Sequence, residues 1–223
     1  MAIILPETFQ FLKDLERNND RQWFAAHKDE YQGWLANGKE FLKALTDEMN
    51  KFDQIEKSKL FRIYKDVRFS KDKTPYNKHM SMSFNREKPY LRGGYYLRIE
   101  KGESLVACGF WNPAPSDLAL IRGNIDLDAK TMRKAMSEAS IKKYFNPLEG
   151  DAVKTSPKGY SKDHPEIELL RYKSFFFTRN FTDKEVLDKS FIKEVVKSYK
   201  AIRPFFEYMS EILGHNLNGE PLY

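Results

Sequence analysis

In Leu60-Phe-Arg-Ile-Tyr-Lys-Asp-Val-Arg-Phe69 the hydrophobic period of this chain changes. Upstream, apolar residues recur every three to four positions. Here Phe61, Ile63, Val67 and Phe69 alternate with Arg62, Tyr64, Asp66 and Arg68, and Lys65 is the exception on the apolar side. Recurrence near 3.6 marks a helix packed on one face, whereas alternation marks a half-buried strand. The stretch therefore reads as a strand, or a strand with a bend, that separates a helical N-terminal quarter from a sheet.

Upstream of it, a first helix opens at Pro6, a favoured first-turn residue, and runs through Phe9, Leu12 and Leu15 to Asn18-Asn19-Asp20. A second helix starts there. Asn19 and Gln22 have capping-box spacing, and Trp23, His27, Tyr31 and Trp34 fall on one face. Asn37-Gly38 is expected to end it, and a third helix from about Lys39 carries Phe41, Leu42, Leu45, Met49 and Phe52.

Downstream, strands are expected at 80–84, 94–101, 104–111 and 174–181, the middle two joined through Gly102-Glu103 like a tight hairpin. Helices are expected to open near Ser116, near Asp128 and around Pro165, and Thr182 with Glu185 has capping-box spacing. The apolar stripe from Ile192 to Leu213 predicts a long final helix that Pro204 kinks or divides. The irregular stretch 146–163 is long enough for a functional or mobile loop. Helices, then strands, then helices predict an α+β fold in a single domain, 1–223. An N-terminal helical layer, a central mainly antiparallel sheet of about five strands and the long C-terminal helix packing against it compose that fold.

Composition narrows the function classes. With 41% hydrophobic residues, 14% aromatic residues, 11 Gly and 10 Pro in 223, disordered and collagen-like chains are excluded. The lone Cys108 cannot form an intrachain bridge, which fits a reducing cytoplasm. No apolar run approaches the roughly 18 residues that span a bilayer, and the N-terminus lacks a basic leader, so neither membrane insertion nor secretion is expected. The net charge of +6 has one address: residues 57–79 hold eight Lys and Arg against two Asp, and the remainder balances at 30 against 30.

Several chemistries lack their residues. There is no phosphate-binding Gly-x-x-x-x-Gly-Lys loop, no Gly-x-Gly-x-x-Gly, no Gly-x-Ser-x-Gly and no His-Glu-x-x-His. A cysteine zinc cluster is impossible with one Cys, and four scattered histidines make no metal motif. No metal or cofactor is expected.

What remains is the basic segment. Arg62, Tyr64, Asp66 and Arg68 share one side of an extended chain, where guanidinium forks suit carboxylate or phosphate oxygens and Asp66 holds them apart. The following Lys71, Lys73, Lys78 and His79, around Thr74-Pro75-Tyr76, form a loop suited to cradle an anion. His79 is the member that titrates near neutrality, with Tyr76 or Asp66 to orient it in acid–base work. The same residues also suit a solvated strand face and a solubilising loop. His27 and the Lys158 and His164 pair can face such a site; equally, His27 suits an aromatic core, and Tyr160 and Pro165 suit structural pins.

The residues Asn19-Asp-Arg21-Gln-Trp23-Phe24-Ala-Ala-His27-Lys28, the run from Arg62 through Tyr76, and Pro157-Lys158-Gly159-Tyr160 with Asp163-His164-Pro165 resemble the family known as domain of unknown function 2461. The resemblance covers nearly the whole chain, from Phe9 to about Phe206, although Lys65 stands where Arg is expected at least as often. It implies a single cytoplasmic domain of bacterial and fungal occurrence and brings no reaction with it. It also implies a functional role for Arg62, Tyr64, Asp66, Arg68, Lys71, Lys73, Tyr76 and His79, because the defining stretches are charged and loop-borne.

Three functions compete. One is a binding site or enzyme for a small phosphate- or carboxylate-bearing ligand. The second is a small-footprint nucleic-acid-binding module stacking bases on Phe69 and Tyr76, whose affinity would fall steeply with salt. The third is an adaptor docking an acidic protein. The modest, local charge favours the first.

Overall fold

The computed structural model describes residues 2–223. Among them, nine helices accompany a five-stranded antiparallel sheet in sequential order β1-β2-β3-β4-β5, an α+β fold. The strands are β1 Ile55–Leu60, β2 Met80–Arg86, β3 Gly94–Ile99, β4 Ser104–Phe110 and β5 Phe175–Phe181. No helix among the described residues is long and apolar enough to cross a membrane. Two compact units are distinguished: one comprises the chain as far as Phe84, Tyr96–Val106 and Asn180–Lys197, the other Asn85–Tyr95, Ala107–Arg179 and Ser198–Tyr223.

In the first unit, α1 Pro6–Arg17 opens on its proline and buries Phe9, Phe11, Leu12 and Leu15. It packs on α3 Lys28–Met49, which lies along β1. Between them α2 Arg21–Ala26 is capped by Asp20, whose Oδ1 accepts the Trp23 amide at 2.8 Å; the expected Asn19–Gln22 box does not form, since Asn19 is engaged elsewhere.

The expected stop at Asn37-Gly38 is also absent, and the helical break falls at His27 instead. The reason is tertiary. The Asn37 carboxamide is buried and spent on the Leu5 amide, the Thr8 hydroxyl and the Ile3 carbonyl, so it does not compete with its own helix. Gly38 stays helical because a Cβ there would come within 2.9 Å of Met80 Cε and 3.1 Å of Leu60 Cδ2, so the bare backbone lets the helix approach the sheet. The capping box of α7 Asp183–Leu187 forms as expected, with Thr182 and Glu185 satisfying each other's amides.

The deciding stretch departs from the expected strand. Burial alternates from Phe61 to Arg68 as the pattern requires, with Arg62, Tyr64, Asp66 and Arg68 exposed and Ile63 buried. Yet β1 lies upstream, and beyond Phe61, whose amide still donates to Ser81 O at 2.9 Å, residues 62–79 leave the ladder and fold back on themselves. An antiparallel bridge pairs Tyr64 with Tyr76, Lys65 N donates to Pro75 O at 2.8 Å, and Asn77 N donates to Ile63 O at 2.7 Å. Proline lacks the N–H that would continue this pairing, so an arch opens beyond it. At its tip Phe69, which alternation would bury, is 96% exposed.

In the second unit, α4 Pro115–Met136 contains a break at Asp128, whose carboxylate accepts the Lys130 and Thr131 amides and so starts the second half, as the sequence implies. The final helix is divided before Pro204 into α8 Phe191–Ala201 and α9 Arg203–Gly214. Shorter helices are α5 Ala139–Tyr144 and α6 Ile167–Leu170. Packing centres on Phe206, edge-on to Tyr95 and Phe110 at 5.0 and 5.9 Å, beside Gly93. The irregular 146–163 stretch is pinned by bridges from Glu149 to Phe176 and from Ala152 to Tyr172.

Candidate functional site

The arch is held at its base by one carboxylate. Asp72 accepts Lys65 Nζ at 2.8 Å, the Thr74 amide at 2.9 Å and the Thr74 hydroxyl at 2.8 Å. The lysine first, then the two Thr74 donors, hold its carboxyl well below the usual range. Such a staple is fully present above the ordinary carboxylate range and is lost only as pH falls far below it. Lys73 Nζ closes the base by donating to Val67 O at 2.9 Å. Asp66 does not stand between two forks as expected. It takes Arg68 alone, accepting Nε at 2.9 Å and Nη2 at 2.6 Å, and Arg68 foremost, with Arg62 contributing, lowers its pKa.

A joint between helices anchors the arch to the helical layer. The Asn19 side chain donates to Tyr76 O at 3.0 Å and accepts the Tyr76 amide at 3.1 Å across 57 residues. The Tyr76 ring stacks on Phe24 at 4.1 Å and 12°, with Tyr64 edge-on to both. Burial first, then Tyr64, pushes the Tyr76 phenol up. Asn19→Ala is expected to cost about 1–2 kcal/mol, the worth of a lost pair of backbone hydrogen bonds, and to speed hydrogen exchange at the Tyr76 amide. Unchanged exchange would show that the ring stack alone holds the arch.

Between this joint and the arch lies an open groove of about 670 Å³ lined by Asn19, Asp20, Arg21, Val67, Asp72, Lys73, Thr74 and Pro75. Both acidic groups of the arch are taken up internally. The side chains of Arg21, Arg62 and Lys71 make no hydrogen bond or ion pair among the described residues, and Lys73 Nζ donates to a neutral carbonyl.

Lys78 and His79 belong to a different cluster. Lys78 Nζ lies 2.9 Å from Glu16 Oε1 and 3.5 Å from Glu100 Oε1, on a recess of about 110 Å³. His79 Nδ1 is 3.7 Å from Glu100 Oε2, which Arg98 also holds. Despite that carboxylate, His79 titrates below its ordinary value: burial, then Arg98, with Lys65 and Lys78 adding to them, outweigh Glu100. The expected orienters Tyr76 and Asp66 are thus engaged elsewhere, and Glu100 is the group facing the imidazole.

His27 sits where α2 meets α3, stacked on Trp23 at 4.0 Å and 15°, its Nδ1 donating to the Trp23 carbonyl at 2.8 Å. In the second unit, His164 Nδ1 accepts the Glu166 amide at 3.0 Å, which leaves Nε2–H to donate to Asp126 Oδ1 at 2.9 Å. Both ring nitrogens are therefore engaged just ahead of α6. Tyr160 lies edge-on to that ring, and Lys158 is exposed. No group of three or more His, Cys, Asp or Glu side chains among the described residues could hold a metal ion.

Sequence reasoning did not single out Asn19, Arg21 or Glu100 as site residues. The first two stand in the charged run before Trp23, and Glu100 falls on the side opposite Tyr95, Leu97 and Ile99 in the alternation and is nonetheless buried. A carboxylate at such a strand end is a signal for a buried ion pair.

Fold and geometry together define an α+β protein in which an arch after β1 is tied to a helical layer. The chain belongs to the family described as conserved hypothetical protein (DUF2461), whose model matches residues 7–208. Neither the curated proteins nor the solved structures returned a match.

Proposed function

We propose that this protein binds a small anion, phosphate- or carboxylate-bearing, in the groove between the start of α2 and the Val67–Pro75 side of the arch. One observation carries the reading: the arch commits Asp66 and Asp72 to internal staples and leaves the side chains of Arg21, Arg62 and Lys71 without a hydrogen-bonded acidic partner, beside a Lys73 that donates to a carbonyl. In this pre-formed groove Arg21 and Lys73 face the opening while the Asp20 and Asp72 carboxylates are engaged by the Trp23 amide and by Lys65 and Thr74, which saves the ligand the cost of ordering the site. Arg68 sets the rim with its plane fixed by Asp66. The cytoplasmic setting belongs to the same proposal, supported by a single buried thiol, as does action as one domain, supported by one family match spanning residues 7–208.

The test is thermal shift with inorganic phosphate, nucleotides and dicarboxylates on wild type, Arg21→Ala/Lys73→Ala and Arg62→Ala/Arg68→Ala. A ligand at a hundred times its Kd stabilises by about 2.7 kcal/mol, and the double variants are expected to lose most of that shift. Equal shifts in all three proteins, or none in any, would refute the reading.

A further inference from the structure

We infer that the groove and the arch tip together take a nucleoside phosphate, its phosphate held by the groove cations and its base stacked on Phe69. This rests on the anion-binding reading above and names the ligand class for the same site.

Phe69 is 96% exposed, although burying a phenylalanine side chain is worth about 1.5–3 kcal/mol. The backbone that carries it is braced by its neighbours. The Arg68 guanidinium lies 5.9 Å from the ring centroid, and its own plane is fixed by two hydrogen bonds to Asp66. Below the tip, the contacts of Lys73 with Val67 and of Lys65 and Thr74 with Asp72 close the arch. The ring is therefore presented on a braced frame, so stacking against it loses little conformational entropy.

Size and spacing favour a ligand larger than a bare anion. A groove of about 670 Å³ falls in the range of small-molecule pockets and far exceeds the space that one phosphate fills. Val67 lines that groove, and Phe69 follows two residues on across a bend, so at most about 7 Å of chain separates them. A sugar bridges that kind of gap between a phosphate and a base. Every base has a π-face, so a lone aromatic platform beside cations accepts bases without reading their edges.

The experiment is isothermal titration at about 50 and about 200 mM salt with inorganic phosphate, adenosine, adenosine monophosphate and a single-stranded decamer of deoxyadenosine. It is run on wild type, Phe69→Ala and Arg21→Ala/Lys73→Ala. The monophosphate is expected to bind at least ten times more tightly than phosphate or adenosine. Phe69→Ala is expected to weaken it about 5- to 140-fold, the range of one base–aromatic stack, and to leave phosphate binding unchanged. Phe69 is a surface residue, so its variant keeps the fold.

A decamer that binds more tightly than the monophosphate, with a steep salt dependence, identifies single-stranded nucleic acid as the source; equal affinity identifies the free nucleotide. If phosphate binds but the monophosphate binds no better, or if Phe69→Ala matches wild type, this inference falls and the anion site stands. If no probe binds, both fall.

Discussion

Phe206→Ala is expected to destabilise the protein by about 3–5 kcal/mol, the usual cost of emptying a buried aromatic site, and to lower the midpoint of thermal unfolding by about 10 °C. The ring is fully buried and edge-on to Tyr95 and Phe110. The Arg86 guanidinium lies 5.0 Å over its face, so the substitution also removes an attraction to a cation that is itself 1% exposed. Gly93, at φ 90°, already brings bare backbone against the ring: a Cβ there would meet Phe206 at 2.8 Å. Alanine leaves a void between Tyr95, Phe110 and Arg86. Urea unfolding is the measurement, and a loss below about 1 kcal/mol would show that this region repacks freely.

Glu100→Ala is expected to cost about 2–3 kcal/mol, less than a fully buried pair because Arg98 and Lys78 keep partial access to water. The Glu100 carboxylate is 4% exposed and faces Arg98, Lys78 and His79. Without it three basic side chains confront one another, with Glu16 and Glu103 left as the acidic partners of Lys78 and Arg98.

The imidazole gives a second readout. His79 already titrates low because burial and three cations disfavour its charged form. A depressed value means that the unfolded chain takes up the proton first. The stability His79 confers is therefore complete above the ordinary imidazole range and is lost as pH falls through the folded value. Removing the single carboxylate that favours the imidazolium moves that value lower still. A proton NMR titration of His79 follows it, and an unchanged midpoint in Glu100→Ala would show that the carboxylate does not act on the ring.

The helices and strands with regular spacing were legible in the sequence because their period reports burial directly. Pro6, Pro204, the Thr182 box and the Asp128 break were legible for the same local reason, each acting within one turn. Residues acting at long range were not. Asn37 reads as a helix stop until Leu5, Thr8 and Ile3 claim its carboxamide, and Asn19 reads as a cap until Tyr76 is placed beside it. Alternation from Phe61 to Arg68 correctly gave the exposed face but overstated the pairing, because burial of alternate residues does not require a ladder. The site was legible as charge and as a segment. Its subdivision was not, since the pairing of Lys78 and His79 with Glu100 depends on a strand 20 residues downstream.

The Asn19 clamp addresses only the backbone of residue 76, while the staples of the arch are all made within 65–74. Anchor and payload are thus chemically independent, and the segment from Asp66 to Lys73 behaves as a cassette on a fixed mount. Arg68, Phe69 and Lys71 lie outside both the Asn19 joint and the bonds that Asp72 and Lys73 make, so the tip can be rewritten while the mount and its staples stay intact.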